Sequence, residues 1–307
     1  MVVAIPDKSN CLLVKTSAEI ALKSNQVRQF FTKKLISNIK HSLKNNKVEI
    51  EKITRGGGRL YIYAPDLKKV AKVLETVIGI HAIAPAFKGT FKEYADIEKE
   101  VLSQAKHFLK KGDLFALKVK RLAETGLSSK DYENKLGKAV MDKIPGLTVK
   151  LKNPEKRISV EVRKRDFYIY FSDVSCIRGL PLGVEGNLSF LFEGKPEELL
   201  AASLLMFRGC NIFPVVKKKS KKIETHVNKL RPLNCWRDFV FTELKDFKTL
   251  VADRQIQAIG LADTKTSKKD LEAYKEFDAK QPVTVLRPLL LYPKPMVSEK
   301  KTLLLNN

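Results

Sequence analysis

The sequence predicts two α+β units followed by an α/β unit. Three observations carry that prediction. Residues 11–87 read strand, helix, strand, strand, helix, strand, the order of a ferredoxin-like split βαβ unit. Residues 97–171 mix two helices with a lysine-bearing strand and three further short strands. From Leu188 onward, apolar strands alternate with helices, as in a shortened, parallel, Rossmann-like sheet.

Cys11–Thr16 (CLLVKT) is a short apolar strand. Over Ser24–Asn45, Val27, Phe30, Phe31, Leu35, Ile36, Ile39 and Leu43 recur at helical spacing with lysines opposite. Lys47–Ile53 and Leu60–Tyr63 form a hairpin across the turn Thr54-Arg55-Gly56-Gly57-Gly58-Arg59. A helix over Leu67–Ile78 is capped by Asp66 and stopped at Gly79, and Ile80–Phe87 closes the unit. The second unit has helices over Ile97–Leu109, ended at Gly112, and over Ser128–Ile144, capped by Ser128 or Ser129. Its strands are Leu114–Arg121, Thr148–Leu151, Arg157–Arg163 and Phe167–Phe171. The third unit has strands Leu188–Phe192, Asn211–Val216, Gln257–Ala262 and Pro282–Leu286, with helices Glu197–Arg208 and Lys268–Phe277. Asp238–Val251 mixes strand and helix signals, and the tail from Tyr292 is Pro-broken and irregular.

The charge balance narrows the function. Lys+Arg 58 against Asp+Glu 34 leaves a formal net charge of +24 on 307 residues. A surplus of that size points to a polyanionic partner, nucleic acid first, ahead of a merely lysine-rich surface or a membrane. No apolar run reaches the roughly 20 residues that span a bilayer, and Met1–Lys8 lacks a signal peptide's apolar core. A cytoplasmic protein without a membrane partner is expected. The four cysteines (Cys11, Cys176, Cys210, Cys235) contain no C-x-x-C, and the four histidines are scattered. Neither a zinc site nor a disulfide framework is expected.

Two stretches are candidate sites. Lys118, Lys120 and Arg121 lie on one alternating strand, and Arg163, Lys164 and Arg165 cluster at a turn. Such residues hold RNA through its phosphates, giving affinity without sequence readout. Arg55 and Arg59 flank the triple glycine, which reads first as a flexible hairpin turn and second as a phosphate contact. The other stretch, Glu193-Gly194-Lys195-Pro196-Glu197-Glu198, joins a strand to a helix N-terminus, where backbone N–H groups and the helix dipole hold phosphate. One glycine, a proline without an N–H and three carboxylates make it a poor anion nest. Lys217–Lys222 (KKKSKK) reads as an exposed loop that extends the basic footprint.

Four motifs carry a family resemblance. Thr16-Ser17-Ala18-Glu19-Ile20-Ala21-Leu22-Lys23 is similar to the opening signature of the tRNA 4-thiouridine synthetase (ThiI-like) family, roughly R-Y-x-E-I-x-L-K-G. Arg59-Leu60-Tyr61-Ile62 resembles its R-G-R-I-Y-V hairpin, and Leu117-Lys118-Val119-Lys120-Arg121 its V-R-A-K-R strand. Arg178-Gly179-Leu180-Pro181-Leu182-Gly183-Val184-Glu185-Gly186 resembles the linker G-G-L-P-V-G-T-E-G, the most specific of the four. The resemblance implies a ferredoxin-like domain over 1–90, a THUMP domain over 91–177 and a degenerate PP-loop-like α/β domain over 178–307. It also implies tRNA as partner, through the acceptor stem and 3′ end.

The third unit departs from the family pattern. Where the family carries S-G-G-x-D-S, aligning back from Arg208-Gly209 puts Glu193 on the first serine and Glu197 on the aspartate. Glu193, Gly194, Lys195 and Glu197 then form a degenerate nucleotide loop, with Glu193 where phosphate should sit and Lys195 as partial compensation. Arg287-Pro288-Leu289 resembles the family's R-P-L segment, but the sulfur-carrying cysteine beyond it has no counterpart after Cys235, and the rhodanese domain of some relatives is not expected. The implied role is a tRNA-binding accessory or catalytically degraded member of the thiolation machinery, with no catalytic residue and no cofactor, acting with a homodimer partner or a modification enzyme. The alternative is an active ATP-dependent tRNA sulfurtransferase or adenylating enzyme that uses MgATP, Lys195, Glu197 and Cys210 or Cys235 in altered roles. An oligomerisation module of a larger complex is a third reading.

Overall fold

The computed structural model describes residues 6, 8–124 and 126–292. The expectations for the chain's first residues and for the tail after Tyr292 fall outside them. In chain order the elements are β1 (Cys11–Thr16), α1 (Ala18–Ala21), α2 (Asn25–Asn45), β2 (Lys52–Gly56), β3 (Arg59–Tyr63), α3 (Leu67–Leu74) and β4 (Ile80–Thr90). Then come α4 (Tyr94–Phe108), β5 (Leu114–Arg121), α5 (Ser129–Lys143), β6 (Thr148–Val149), β7 (Lys156–Val162), β8 (Asp166–Tyr170) and β9 (Val174–Ser175). The rest are β10 (Asn187–Phe192), α6 (Pro196–Phe207), β11 (Asn211–Val216), α7 (Lys221–Asn228), β12 (Thr242–Glu243), α8 (Phe247–Arg254), β13 (Ile256–Gly260), α9 (Lys268–Asp278) and β14 (Thr284–Leu286). They fall into two compact units, one within 1–15, 49–72 and 82–175, the other within 16–48, 73–81 and 176–307.

The first unit is built on one nine-stranded sheet among the described residues, in the order β2-β3-β1-β4-β8-β7-β5-β6, with β9 beside β4. The long β4 joins its two halves: Ala82 and Ile83 pair with β9, and Phe87–Thr90 pair with β8. Strand alternation gives the sheet two chemically different faces. On one, Phe115, Leu117, Val119, Ile158 and Val160 pack with Ile97 and Val101 of α4 and Tyr132 and Leu136 of α5. On the other, the small side chains of Cys11, Ala84 and Ala86 leave room for Tyr61 to stack on Tyr168, ring centroids 4.2 Å apart. Tyr61 and Tyr168 belong to strands three places apart in the sheet order. Their contact shows that the sheet curls toward this second face.

The hairpin shifts from its expected register. Strand β2 covers Lys52–Gly56 rather than Lys47–Ile53, because Gly56 pairs with Arg59 and the connection shrinks to Gly57-Gly58. Their φ values of 54° and 72° are the left-handed pair that a two-residue hairpin turn of this kind demands. A Cβ on Gly58 would meet nothing within 4 Å. Gly58→Ala therefore isolates the backbone cost, expected at about 1 kcal/mol in urea denaturation. An unchanged midpoint would rule out this turn.

The second unit holds a five-stranded sheet among the described residues, in the order β12-β11-β10-β13-β14, every pair parallel. In sequence terms this is third, second, first, fourth, fifth, the Rossmann order, and it reverses direction beside β10. Helix α6 starts at Pro196, not Glu197, since the fixed φ of proline suits a first helical position. It buries Leu199, Leu200, Ala202, Leu205 and Met206 in a core shared with Phe190, Phe192, Ile212 and Val216. Helix α2 belongs to this unit: the Asn38 amide donates to the Leu182 carbonyl (3.0 Å) and the Asn45 amide to that of Cys235 (3.2 Å).

Other boundaries moved for local reasons. The helix expected to Ile78 ends at Leu74, and the strand expected over Thr148–Leu151 is only Thr148–Val149. The lysine run is half helix: Ser220 Oγ accepts from the Ile223 N–H (3.3 Å), so Lys221 and Lys222 open α7. Asp238–Val251 resolves into β12 and the start of α8. Among the described residues no helix is long and apolar enough to cross a membrane.

Candidate nucleic-acid interface

The curled face of the first unit holds a cleft of about 440 Å³. Five cations line it, Lys15, Arg59, Lys118, Lys120 and Arg157, against two carboxylates, Glu161 and Asp173. Strand register explains the grouping. In the parallel pair β5–β7, Ala116, Lys118 and Lys120 stand opposite Arg157, Ser159 and Glu161, so all six share one face. In the antiparallel pair β1–β3, Lys15 stands opposite Arg59. Lys15 is bound to Asp173 (2.6 Å) with its ammonium 4.7 Å from the Tyr170 ring centroid. Lys118, Lys120 and Arg157 are exposed, and among the described residues they form no ion pair. The free positive charge of the cleft sits on those three.

Glu161 is the buried anchor of this face, with 1% of its side chain exposed. It accepts from Arg59 Nε (3.3 Å) and from the Tyr61 hydroxyl (3.4 Å), and Arg163 Nη2 lies 3.7 Å away. The same Arg163 nitrogen donates to the Tyr61 hydroxyl and to the Gly56 carbonyl (2.9 Å). The guanidinium carbon lies 4.9 and 5.5 Å from the ring centroids of Tyr61 and Tyr168. A Cβ on Gly56 would come within 2.6 Å of that guanidinium, so the first glycine of the triplet makes room for Arg163. Burial, then the neighbouring Glu161, pushes the Tyr61 phenol well above its usual range.

The expected RNA contacts therefore separate. Lys118, Lys120 and Arg59 line the cleft. Arg121, Lys164, Arg165 and Arg55 are exposed on β5, at the β7–β8 connection and on β2, outside that lining. Arg163 is the correction: only 15% of its side chain is exposed, because two stacked tyrosines and a buried carboxylate hold it inside. Lys15 and Arg157 escaped the sequence reading. Lys15 is the single cation of β1 and Arg157 follows Lys156 at the start of β7, and only the register brings them to Arg59 and Lys118. Strand alternation, continued across both strands, was the available signal.

In the second unit the loop between β10 and α6 lies at the point where strand order reverses. The sequence puts Glu193 in the phosphate position; the structure puts Glu198 there. The N–H of Glu193 donates to Glu198 Oε1 (2.9 Å) and the N–H of Gly194 to Oε2 (3.0 Å). Glu198 is 2% exposed. Glu193 instead turns outward to Lys195 and to Lys217 (2.5 Å), and those bonds hold its carboxyl below the usual range. Glu197 occupies the second helical position of α6. A nucleotide phosphate needs the two loop N–H groups, and both are already bonded. As it stands, the loop does not fit the group.

The thiols are equally closed. Burial pushes Cys11 up to about 12 and Cys210 up to about 11, and it raises Cys235 as well. At about pH 8 all three stay protonated and unreactive. With an aromatic disulfide reagent under native conditions, labelling is expected at no cysteine other than the half-buried Cys176. Prompt labelling of Cys210 or Cys235 would instead favour a nucleophilic role.

Two family models match the chain, the ThiI ferredoxin-like domain over residues 11–84 and the THUMP domain over 91–172. The chain is 32% identical over 206 residues to the "Probable tRNA sulfurtransferase" of Methanobrevibacter smithii, covering 66% of this chain and 52% of the relative. It thus spans about half the length of the curated relatives it matches. Among solved structures it resembles PH1313 from Pyrococcus horikoshii Ot3, with TM-score 0.84, 26% identity, 96% of this chain and 99% of that one. It shares its fold with a 4-thiouridine synthetase solved as an RNA complex with bound ATP, at TM-score 0.77, 19% identity, 96% of this chain and 84% of that one.

Proposed function

We propose that this chain, which belongs to the ThiI-like family, binds tRNA as an accessory or catalytically degraded member of the thiolation machinery and does so without ATP. The observation that carries the reading is the basic cleft, where Lys118, Lys120 and Arg157 stand without ion-pair partners among the described residues, on a curled face shared by both halves of one sheet. A-form RNA presents phosphates and 2′-hydroxyls rather than a readable major groove. A concave face with free cations suits that target, because it meets the backbone rather than base edges. The acceptor stem and 3′ end are the proposed occupants. The RNA in the structurally similar synthetase complex and the names of the relatives support tRNA as the partner. A modification enzyme or a second copy of the chain completes the proposal as partner, in the cytoplasm.

The active-enzyme reading draws on the strand order of the second sheet, which places Lys195 at the reversal point. Against it stand the bonded loop N–H groups and the buried thiols. Calorimetric titration of MgATP and of total tRNA into one preparation separates the two. Saturable heat with tRNA and none with MgATP is the expected result. Micromolar MgATP binding would overturn the ATP-free reading, and absence of tRNA binding would overturn the reading as a whole.

A further inference from the structure

The geometry points to Glu198 as a built-in occupant of the phosphate nest, so that replacing this one side chain turns the loop into an anion site. This rests on the ATP-free part of the proposed function and is independent of tRNA binding. Part of a nest is present, the N–H groups of Glu193 and Gly194 before the start of α6. Strand β10 leads into a loop whose Gly194 has φ 92°, and α6, twelve residues long, begins at once. A Cβ on Gly194 would have Ile223 as its nearest neighbour at 3.9 Å, so the backbone there is unobstructed. What differs from an anion site is the acceptor. Both carboxylate oxygens of Glu198 take the N–H groups that would otherwise meet phosphate oxygens. The side chain stands at the third helical position, from which a Glu reaches back over its own helix start. Its charge also satisfies the helix dipole.

The surroundings fit an occupied anion position. His226 Nε2 donates to the Lys195 carbonyl (3.1 Å) and lies 3.8 Å from Glu198 Oε2. Lys195 and Lys217, both exposed at the rim of the loop, are held by Glu193. Burial raises the Glu198 carboxyl above its usual range and lowers His226 below its own. Truncating Glu198 leaves the two part-buried N–H groups of Glu193 and Gly194 without their acceptor beside His226, while Glu193 still holds Lys195 and Lys217. Partly buried donors left unmet are costly, and a helix N-terminus favours an anion as their acceptor.

The test titrates inorganic pyrophosphate and MgATP into wild type, Glu198→Ala and Glu198→Ser, each checked by thermal melting. Wild type is expected to show no saturable heat at millimolar ligand, and both variants to bind pyrophosphate at least tenfold more tightly. Equal binding by wild type, or no binding by a folded variant, would overturn the inference. If neither variant folds, the wild-type protein decides. The backbone amide resonances of Glu193 and Gly194 should stay unmoved under millimolar pyrophosphate, and saturable shifts there would show the nest is open. Affinity for tRNA, measured on the same samples, reads the other proposal separately: its loss leaves the nest result standing.

Discussion

Reversing two charges, Lys118→Glu with Lys120→Glu, is expected to weaken tRNA binding about 10- to 100-fold at moderate salt. The dependence of log affinity on log salt should become shallower by about two, one for each phosphate that a lysine no longer neutralises. Both lysines are exposed on β5, Lys118 between the buried Leu117 and Val119 and Lys120 directly after Val119, so reversal leaves the core untouched. Among the described residues neither has an acidic partner to release. Lys143→Glu is the control, an exposed lysine on α5, the helix that packs on the opposite face of the sheet. Filter binding over a salt series distinguishes the outcomes. If Lys143→Glu matches the double reversal charge for charge, the effect is one of net charge and the cleft is not the interface. If the double reversal leaves slope and affinity unchanged, this face is wrong.

The second large effect is one of stability. Glu161→Ala should cost about 3–5 kcal/mol, because it leaves Arg59 and Arg163 facing each other with their shared carboxylate gone. The Tyr61 hydroxyl loses its acceptor in the same step. Arg59 and Arg163 are 20% and 15% exposed, so solvent cannot fully replace the anion. The loss should appear as a lower urea midpoint and as faster amide exchange along β3 and β7. Glu161→Gln, which keeps the shape, should recover part of it. A loss below about 1 kcal/mol, the range of surface pairs, would mean that the cluster is solvated in solution. RNA binding should fall in parallel, since the cleft exists only where the sheet curls.

Much of the molecule was readable from local patterns. The strand over Leu114–Arg121 and the helix from Ser128 follow from alternation and from a serine that caps its own helix, the Asp131 N–H reaching Ser128 Oγ at 3.1 Å. Element boundaries were less readable where neighbours decide them. Register with Arg59, not residue preference, ends β2 at Gly56. A single hydroxyl converts part of a lysine run into α7. The short β9 has no signal of its own and exists because β4 offers it an edge.

Site residues divide along the same line. The lysines of β5 were legible because period-two alternation decides which side of a strand is wet. Arg163 looked like their equal, one basic residue in a basic turn. Its fate depends on Tyr61, 102 positions earlier, and no local pattern records that contact. The loop shows the same limit at short range. It holds three carboxylates in six residues, and composition shows only that a phosphate is unwelcome there. Which carboxylate turns inward depends on helix geometry, since only the third helical position reaches back to both free N–H groups.

The types of most elements, the surplus of positive charge, the basic strand and the family to which the chain belongs were legible in the sequence, because each is written in composition or in patterns a few residues long. Folding in three dimensions set the rest: the curl of the first sheet, the cations that gather in its cleft, the arginine that becomes a clamp and the glutamate that fills the nest. Those outcomes depend on pairings between residues far apart in the chain and on burial, which sets whether a charged group faces water or must find a partner inside.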